Sequence, residues 1–127
     1  MSSRKKFVIK SVPGTPPASG PYSRVVRFEN TVYVSGLSPR NPDGSVFRGT
    51  IEEEVTNVIE NISKILAEAG SSLDKVLKVT VILDDSADWT RMNSVYKKYF
   101  VNDPPARTTF QSKLDGAKIE MDVIAHV

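Results

Sequence analysis

The 127-residue sequence has no cysteine and a single histidine, His126. Without a thiol there is no disulfide, no thiolate metal site and no cysteine nucleophile. The same absence fits a reducing compartment. One imidazole cannot furnish the nitrogen ligands of a zinc site. A Ser-His-Asp triad would have to use His126, and no nucleophile-elbow pattern accompanies it. No P-loop or dinucleotide fingerprint occurs. No apolar run approaches the ~20 residues that cross a bilayer, so no membrane association is expected. The start lacks the apolar core of a secretory signal. The expected location is cytoplasmic, with a short mitochondrial presequence left open. Excess charge of one sign is lacking too: 17 basic against 15 acidic residues leave a net charge of +2. Nucleic-acid binders ordinarily carry a strong basic excess, so no such partner is expected. The one basic cluster, Arg4-Lys5-Lys6, reads as a solvated terminus.

What is present is the composition of a globular chain, 39% hydrophobic and 25% charged. No repeat or linker divides it, and one domain over residues 1–127 is expected. Phe7 to Val12 reads as a first strand. Pro13 to Pro21 is a loop holding four prolines and two glycines. Val25 to Phe28 and Val32 to Ser35 read as a hairpin around Glu29-Asn30. Residues 36 to 49 are rich in turn formers. Thr50 and Glu53 then form a capping box, and Ile51, Val55, Val58, Ile59, Ile62, Ile65, Leu66 and Ala69 share one helix face. Gly70 stands where helices end.

Val76 to Leu83 is a β-branched strand in which Leu77, Val79, Val81 and Leu83 alternate with other residues. Strand, helix, strand in that order implies a parallel crossover. A second helix is predicted from a cap at Asp85 or Ser86 to about Phe100, with Trp89, Met92, Tyr96 and Tyr99 on its apolar face. Pro104 and Pro105 stop it. Ala106 to Gln111 and Ile119 to Val127 complete the strands. The expected class is α+β, a mixed sheet with two helices on one face. The other face would need a second subunit to bury its apolar residues.

Two residues stand out chemically. Arg107 opens a strand expected to be buried, where a guanidinium needs an anion or several acceptors. It either forms an internal ion pair, with Glu120 as the candidate, or clamps a ligand carboxylate. Glu120, with Asp122 on the same face of the last strand, is either an ion-pair or edge carboxylate, or a general acid/base.

A set of runs in fixed order resembles the Rid/YjgF family, the reactive-intermediate deaminases once called L-PSP endoribonucleases. They are Ala18-Ser19-Gly20-Pro21-Tyr22-Ser23, Val32-Tyr33-Val34-Ser35-Gly36, Ile51-Glu52-Glu53-Glu54 through Leu66-Ala67-Glu68-Ala69-Gly70, Lys78-Val79-Thr80-Val81-Ile82-Leu83, Asn93-Ser94-Val95-Tyr96, Pro104-Pro105-Ala106-Arg107-Thr108 and Ile119-Glu120-Met121-Asp122-Val123-Ile124-Ala125. The resemblance implies a chorismate-mutase-like fold, a homotrimer with pockets at the subunit interfaces, and no cofactor. It implies hydrolysis of small 2-imino acids or their enamines, such as 2-iminopropanoate or 2-iminobutanoate, to 2-keto acids and ammonia.

By the same resemblance, Arg107 grips the substrate carboxylate and Glu120 positions or activates water. Tyr22, Ser35, Gly36 and Asn93 line the site. The sequence departs from the family at Leu37, where a polar amide is usual, and at Thr109, where a cysteine is common. Leu37 and Thr109 keep their places as pocket positions, Thr109 through its backbone N–H. The stretch from Gln111 to Lys118 is shorter than usual. Against the enzyme stand two other readings: a non-catalytic carboxylate sensor using the same cleft, and a ribonuclease or translation inhibitor.

Overall fold

Helix α1 (Ile51–Glu68) shows how directly local chemistry sets an element. The Thr50 hydroxyl accepts from the Glu53 N–H at 3.2 Å, and the Glu53 carboxylate accepts from the Thr50 N–H at 2.9 Å. Glu52, Glu53 and Glu54 crowd the first turn, where the helix dipole favours anions. Every predicted apolar position from Ile51 to Leu66 is buried. Gly70 closes the helix at φ 83°, a conformation that L side chains rarely adopt.

The computed structural model describes residues 5–127. Its strands are β1 (Phe7–Ile9), β2 (Val25–Phe28), β3 (Thr31–Leu37), β4 (Val76–Leu83), β5 (Ala106–Gln111) and β6 (Ile119–His126). They form one six-stranded sheet in the order β1-β2-β3-β6-β4-β5. Only β4 and β5 pair in parallel; every other pairing is antiparallel. Helix α2 (Trp89–Tyr99) connects β4 to β5 and packs with α1 on one face. The class is the expected mixed α+β sheet with two helices. Among the described residues no helix is long and apolar enough to cross a membrane. Arg4 of the basic cluster lies outside the described residues, and Lys5 and Lys6 are exposed.

The core lies between sheet and helices, where Val79, Val81, Leu83, Ile119, Met121 and Val123 meet Ile59, Ile62 and Leu66. Burial of each such side chain contributes about 1.5–3 kcal/mol. Several boundaries differ from expectation for identifiable reasons. β1 stops at Ile9, and Val12 reaches the core from the following loop. A register shift between Val76 and Lys78 turns Val76 inward and leaves Leu77 outside. Asp85 caps a single 3-10 turn, Ser86–Asp88, by accepting from the Ala87 N–H at 2.9 Å, and α2 begins only at Trp89. Met92 and Tyr96 are buried as expected, but Trp89 is exposed and Val95 joins the buried face.

The face without helices carries Tyr33 and Phe110, both about half exposed, with Ile82 and Ile124 partly covered.

Candidate functional site

Arg107 stands in register with Val79, which faces the helices. Its guanidinium accordingly turns toward α2, where Nη1 donates to Asn93 Oδ1 at 2.8 Å. The group lies over the rings of Tyr96, at 4.7 Å, and Trp89, at 5.2 Å. Planar guanidinium stacks well on aromatic faces, so this cage fixes the fork's orientation. No carboxylate pairs with it among the described residues. Two buried oxygens beside this region lack hydrogen-bond partners, the Tyr96 hydroxyl and Thr109 Oγ1. Burial raises the Tyr96 phenol above its usual pKa, while the charge of Arg107 opposes that shift. Thr109 shares the strand face of Arg107, in register with Val81.

Glu120 is in register with Ile82, one position out of phase with the helix-facing Val81 and Met121. Its side chain therefore occupies the opposite face of the sheet from Arg107. The internal Arg107–Glu120 ion pair weighed as an alternative is ruled out by this register. The residues are neighbours in function only if another chain bridges the two faces.

Around Glu120 lies an open recess of about 450 Å³, lined also by Ser19, Tyr22, Ser35, Gly36, Ser38 and Arg40. A register irregularity between Val34 and Leu37 shapes it, and β3 runs through this bend to Leu37 rather than ending at Ser35. Gly36 lets the Glu120 carboxylate lie close against the strand: a Cβ at that position would lie 2.6 Å from Glu120 Oε2. Ser35 braces the bend, its hydroxyl donating to the Ser23 carbonyl at 2.6 Å. The Tyr22 hydroxyl lies 3.2 Å from both the Ser19 N–H, which donates to it, and the Ser19 hydroxyl. Hydrogen bonding by the Ser19 hydroxyl, then by its N–H, draws the Tyr22 pKa below the ordinary phenol value. Leu37 is buried in the core and forms part of the wall of an adjoining recess. The structure thus gathers Tyr22, Ser35, Gly36 and Glu120 on one side and Asn93, Arg107 and Thr109 on the other, while Leu37, in register with Met121, turns into the core.

Sequence reasoning passed over two arginines at this site. Arg24 is 2% exposed, yet it offers its donors only to the carbonyls of Pro17, Ser35 and Gly36. It falls between the run that ends at Ser23 and the strand predicted from Val25, so nothing marked it. Arg40 had a visible signal in Asn57 and Asn61, two amides four apart on a largely apolar helix. Those amides turn out to hold the Arg40 backbone.

A six-stranded mixed sheet, two helices on one face, and a Gly-Pro-Tyr recess against a strand carboxylate define a Rid/YjgF-type chain. The family profile described as Endoribonuclease L-PSP matches residues 13–127, and the chain belongs to the Rid/YjgF family. It is 42% identical over 112 residues to Protein MMF1, mitochondrial, of Saccharomyces cerevisiae, covering 87% of this chain and 77% of that protein. It is 38% identical over 128 residues to 2-iminobutanoate/2-iminopropanoate deaminase of Bos taurus, covering 98% and 93%. The crystal structure of yeast Mmf1 superposes with a TM-score of 0.90 at 39% identity, covering 96% of this chain and 98% of that one. The crystal structure of E. coli TdcF with bound serine matches with a TM-score of 0.85 at 28% identity, covering 94% and 98%. The relatives' names include a mitochondrial one, so family membership fixes no compartment.

Proposed function

We propose that this chain hydrolyses 2-imino acids and their enamine tautomers to 2-keto acids and ammonia, in a pocket assembled between copies of itself. The observation that carries this reading is the pair of unmatched charges on opposite sheet faces. Arg107 is oriented by aromatic rings and an amide but has no anion. Glu120 lies against Gly36 and has no hydrogen bond or ion pair among the described residues. A carboxylate-bearing electrophile held between two chains satisfies both.

In this reading Arg107 of one copy grips the substrate carboxylate through two parallel N–H donors. That aims the imine carbon at a water held by Glu120 of the neighbouring copy. Glu120 accepts a proton as the water oxygen bonds to carbon, and the imine nitrogen takes up a proton. Glu120 then passes its proton to the carbinolamine nitrogen, the C–N bond breaks, ammonia leaves, and the remaining hydroxyl proton is released to solvent as the carbonyl forms. Orientation and proton transfer suffice, because the reaction needs no electrons from outside. The deaminase name borne by the Bos taurus relative supports this chemistry.

Within the family the ribonuclease reading has less support here. His126 is exposed at the end of β6, about 20 Å along the strand from Glu120. It cannot join Glu120 as a phosphodiester acid/base pair within one chain.

The test generates 2-aminoacrylate in situ with a pyridoxal-phosphate dehydratase and follows keto-acid release against the uncatalysed rate. Acceleration by the wild-type chain, and its loss in Glu120→Gln, is the expected result. Release at the uncatalysed rate with a folded wild-type chain refutes the reading.

A further inference from the structure

We infer that the recess beside Glu120 receives a second anionic group, so that the favoured substrate is an imino dicarboxylate rather than a small apolar imino acid. This rests on the imine-hydrolysis reading above and refines its substrate class.

The first observation is Arg24. A buried guanidinium is ordinarily paired with a carboxylate. Arg24, at 2% exposure, has none. Its three hydrogen bonds run to neutral carbonyls and are long, 3.3 Å to Pro17, 3.4 Å to Gly36 and 3.5 Å to Ser35. Its Nε is buried with no partner at all. Carbonyl dipoles orient such a group without neutralising it.

The second observation is Arg40. Its backbone is gripped from both sides: the N–H donates to Asn57 Oδ1 at 3.0 Å, and the carbonyl accepts from Asn57 Nδ2 at 3.1 Å and Asn61 Nδ2 at 3.2 Å. The two amides are tied to one another at 3.3 Å. Yet the guanidinium of Arg40 makes no ion pair among the described residues. Two polar residues of helix α1 thus fix the chain position from which Arg40 extends.

Both arginines line one recess of about 140 Å³, together with Ser19, Tyr22 and Ser38, and no acidic residue lines it. Ser19, Tyr22, Gly36, Ser38 and Arg40 also line the Glu120 recess, so the two spaces are continuous. Two cations lining a small polar space that adjoins the proposed water site fit a second oxyanion on the substrate, beyond the reacting carbon. Arg107 holds the carboxylate next to the imine, and Arg24 with Arg40 takes the distal one.

The experiment measures binding of 2-ketoglutarate and of its monoamide 2-oxoglutaramate, in which only the distal group is neutral, by titration calorimetry. Wild-type protein should favour the dicarboxylate on the order of tenfold to a hundredfold, the worth of one charge-assisted contact. Arg40→Met should bring that ratio close to one, and Arg40→Lys should restore part of it. The Arg40 side chain supports no packing contact described above, so its variants are expected to fold; melting temperature checks this. Equal wild-type affinities, or an undiminished ratio in folded Arg40→Met, overturns the inference. Inorganic phosphate serves as a competitor, and tighter binding of phosphate than of 2-ketoglutarate overturns the assignment to a dicarboxylate. Turnover of 2-iminobutanoate without any dicarboxylate preference sinks this inference alone; absence of all imine turnover sinks the reading it stands on.

Discussion

Gly36 is a position where fold and chemistry make different demands. A methyl group there meets the tip of the Glu120 side chain, 2.6 Å from Oε2, and no backbone atom outside its chain neighbours comes nearer than 3.8 Å. A flexible carboxylate can swing aside at small cost to the fold. Gly36→Ala is therefore expected to melt within a few degrees of wild type while losing most of its imine-hydrolysis rate, because the displaced carboxylate no longer meets the water. Paired melting and turnover measurements decide this, and unchanged turnover removes the Glu120 position from the mechanism. Glu52 offers a test away from the site. Arg91 binds it through two hydrogen bonds, 2.8 and 2.6 Å, and these bonds lower its pKa to about 2. The folded value is below the unfolded one of ~4.3, so the pair's contribution is present above that pH and fades as pH falls toward 2. Both side chains are well exposed, so the effect on stability is small. A carboxyl NMR titration should place the midpoint near 2 in wild type and well above that in Arg91→Ala; matching midpoints would contradict the geometry.

At the scale of elements, the sequence was most legible where one local rule dominates. The capping box, the helix face from Ile51 to Leu66 and the bounds of the strand Val76–Leu83 all appear as predicted. Each is set by near neighbours in the chain. Thr50→Ala should cost about 1 kcal/mol, seen as a lower denaturant midpoint, since it removes one cap acceptor and leaves the hydrophobic face intact. An unchanged midpoint would mean that tertiary packing alone fixes the start of α1. Legibility ended where two distant segments decide the outcome. The register of β5 and β6 on β4 placed Arg107 and Glu120 on opposite faces, and no spacing within either strand encodes that. The shift at Val76 was invisible for the same reason, because it is defined by the partner strand. Of the candidate site, the Gly-Pro-Tyr run, Ser35-Gly36, Arg107 and Glu120 were named from sequence as expectations. Arg24 was not, since its burial comes from carbonyls contributed by a loop and a bend on either side of it.

The whole molecule leaves one sheet face without helices, and Tyr33 and Phe110 are exposed upon it. Covering that face with copies of itself is the arrangement the unmatched charges also call for, and the expected assembly is a homotrimer. Light scattering should report a mass near three times 14.0 kDa. Phe110→Glu places a charge on the open face without touching the core, and should yield folded monomer with little hydrolytic activity. A Phe110→Glu protein that stays trimeric and active shows that the contact surface lies elsewhere.

The placement of Arg107 and Glu120 on opposite faces has a genetic counterpart. In the proposed pocket between copies, a chain lacking one of them is defective only in the half it supplies. Arg107→Lys and Glu120→Gln, each inactive alone, should therefore rescue one another when unfolded together and refolded as mixed trimers. In a ring with one pocket per junction, every mixed trimer regains one intact pocket, and random mixing in equal amounts restores roughly a quarter of all pockets. Two mutations in the same half should give no rescue. A site contained within one chain would show none in either pairing, so allele complementation reads out, without any structure, which side of the sheet each residue serves.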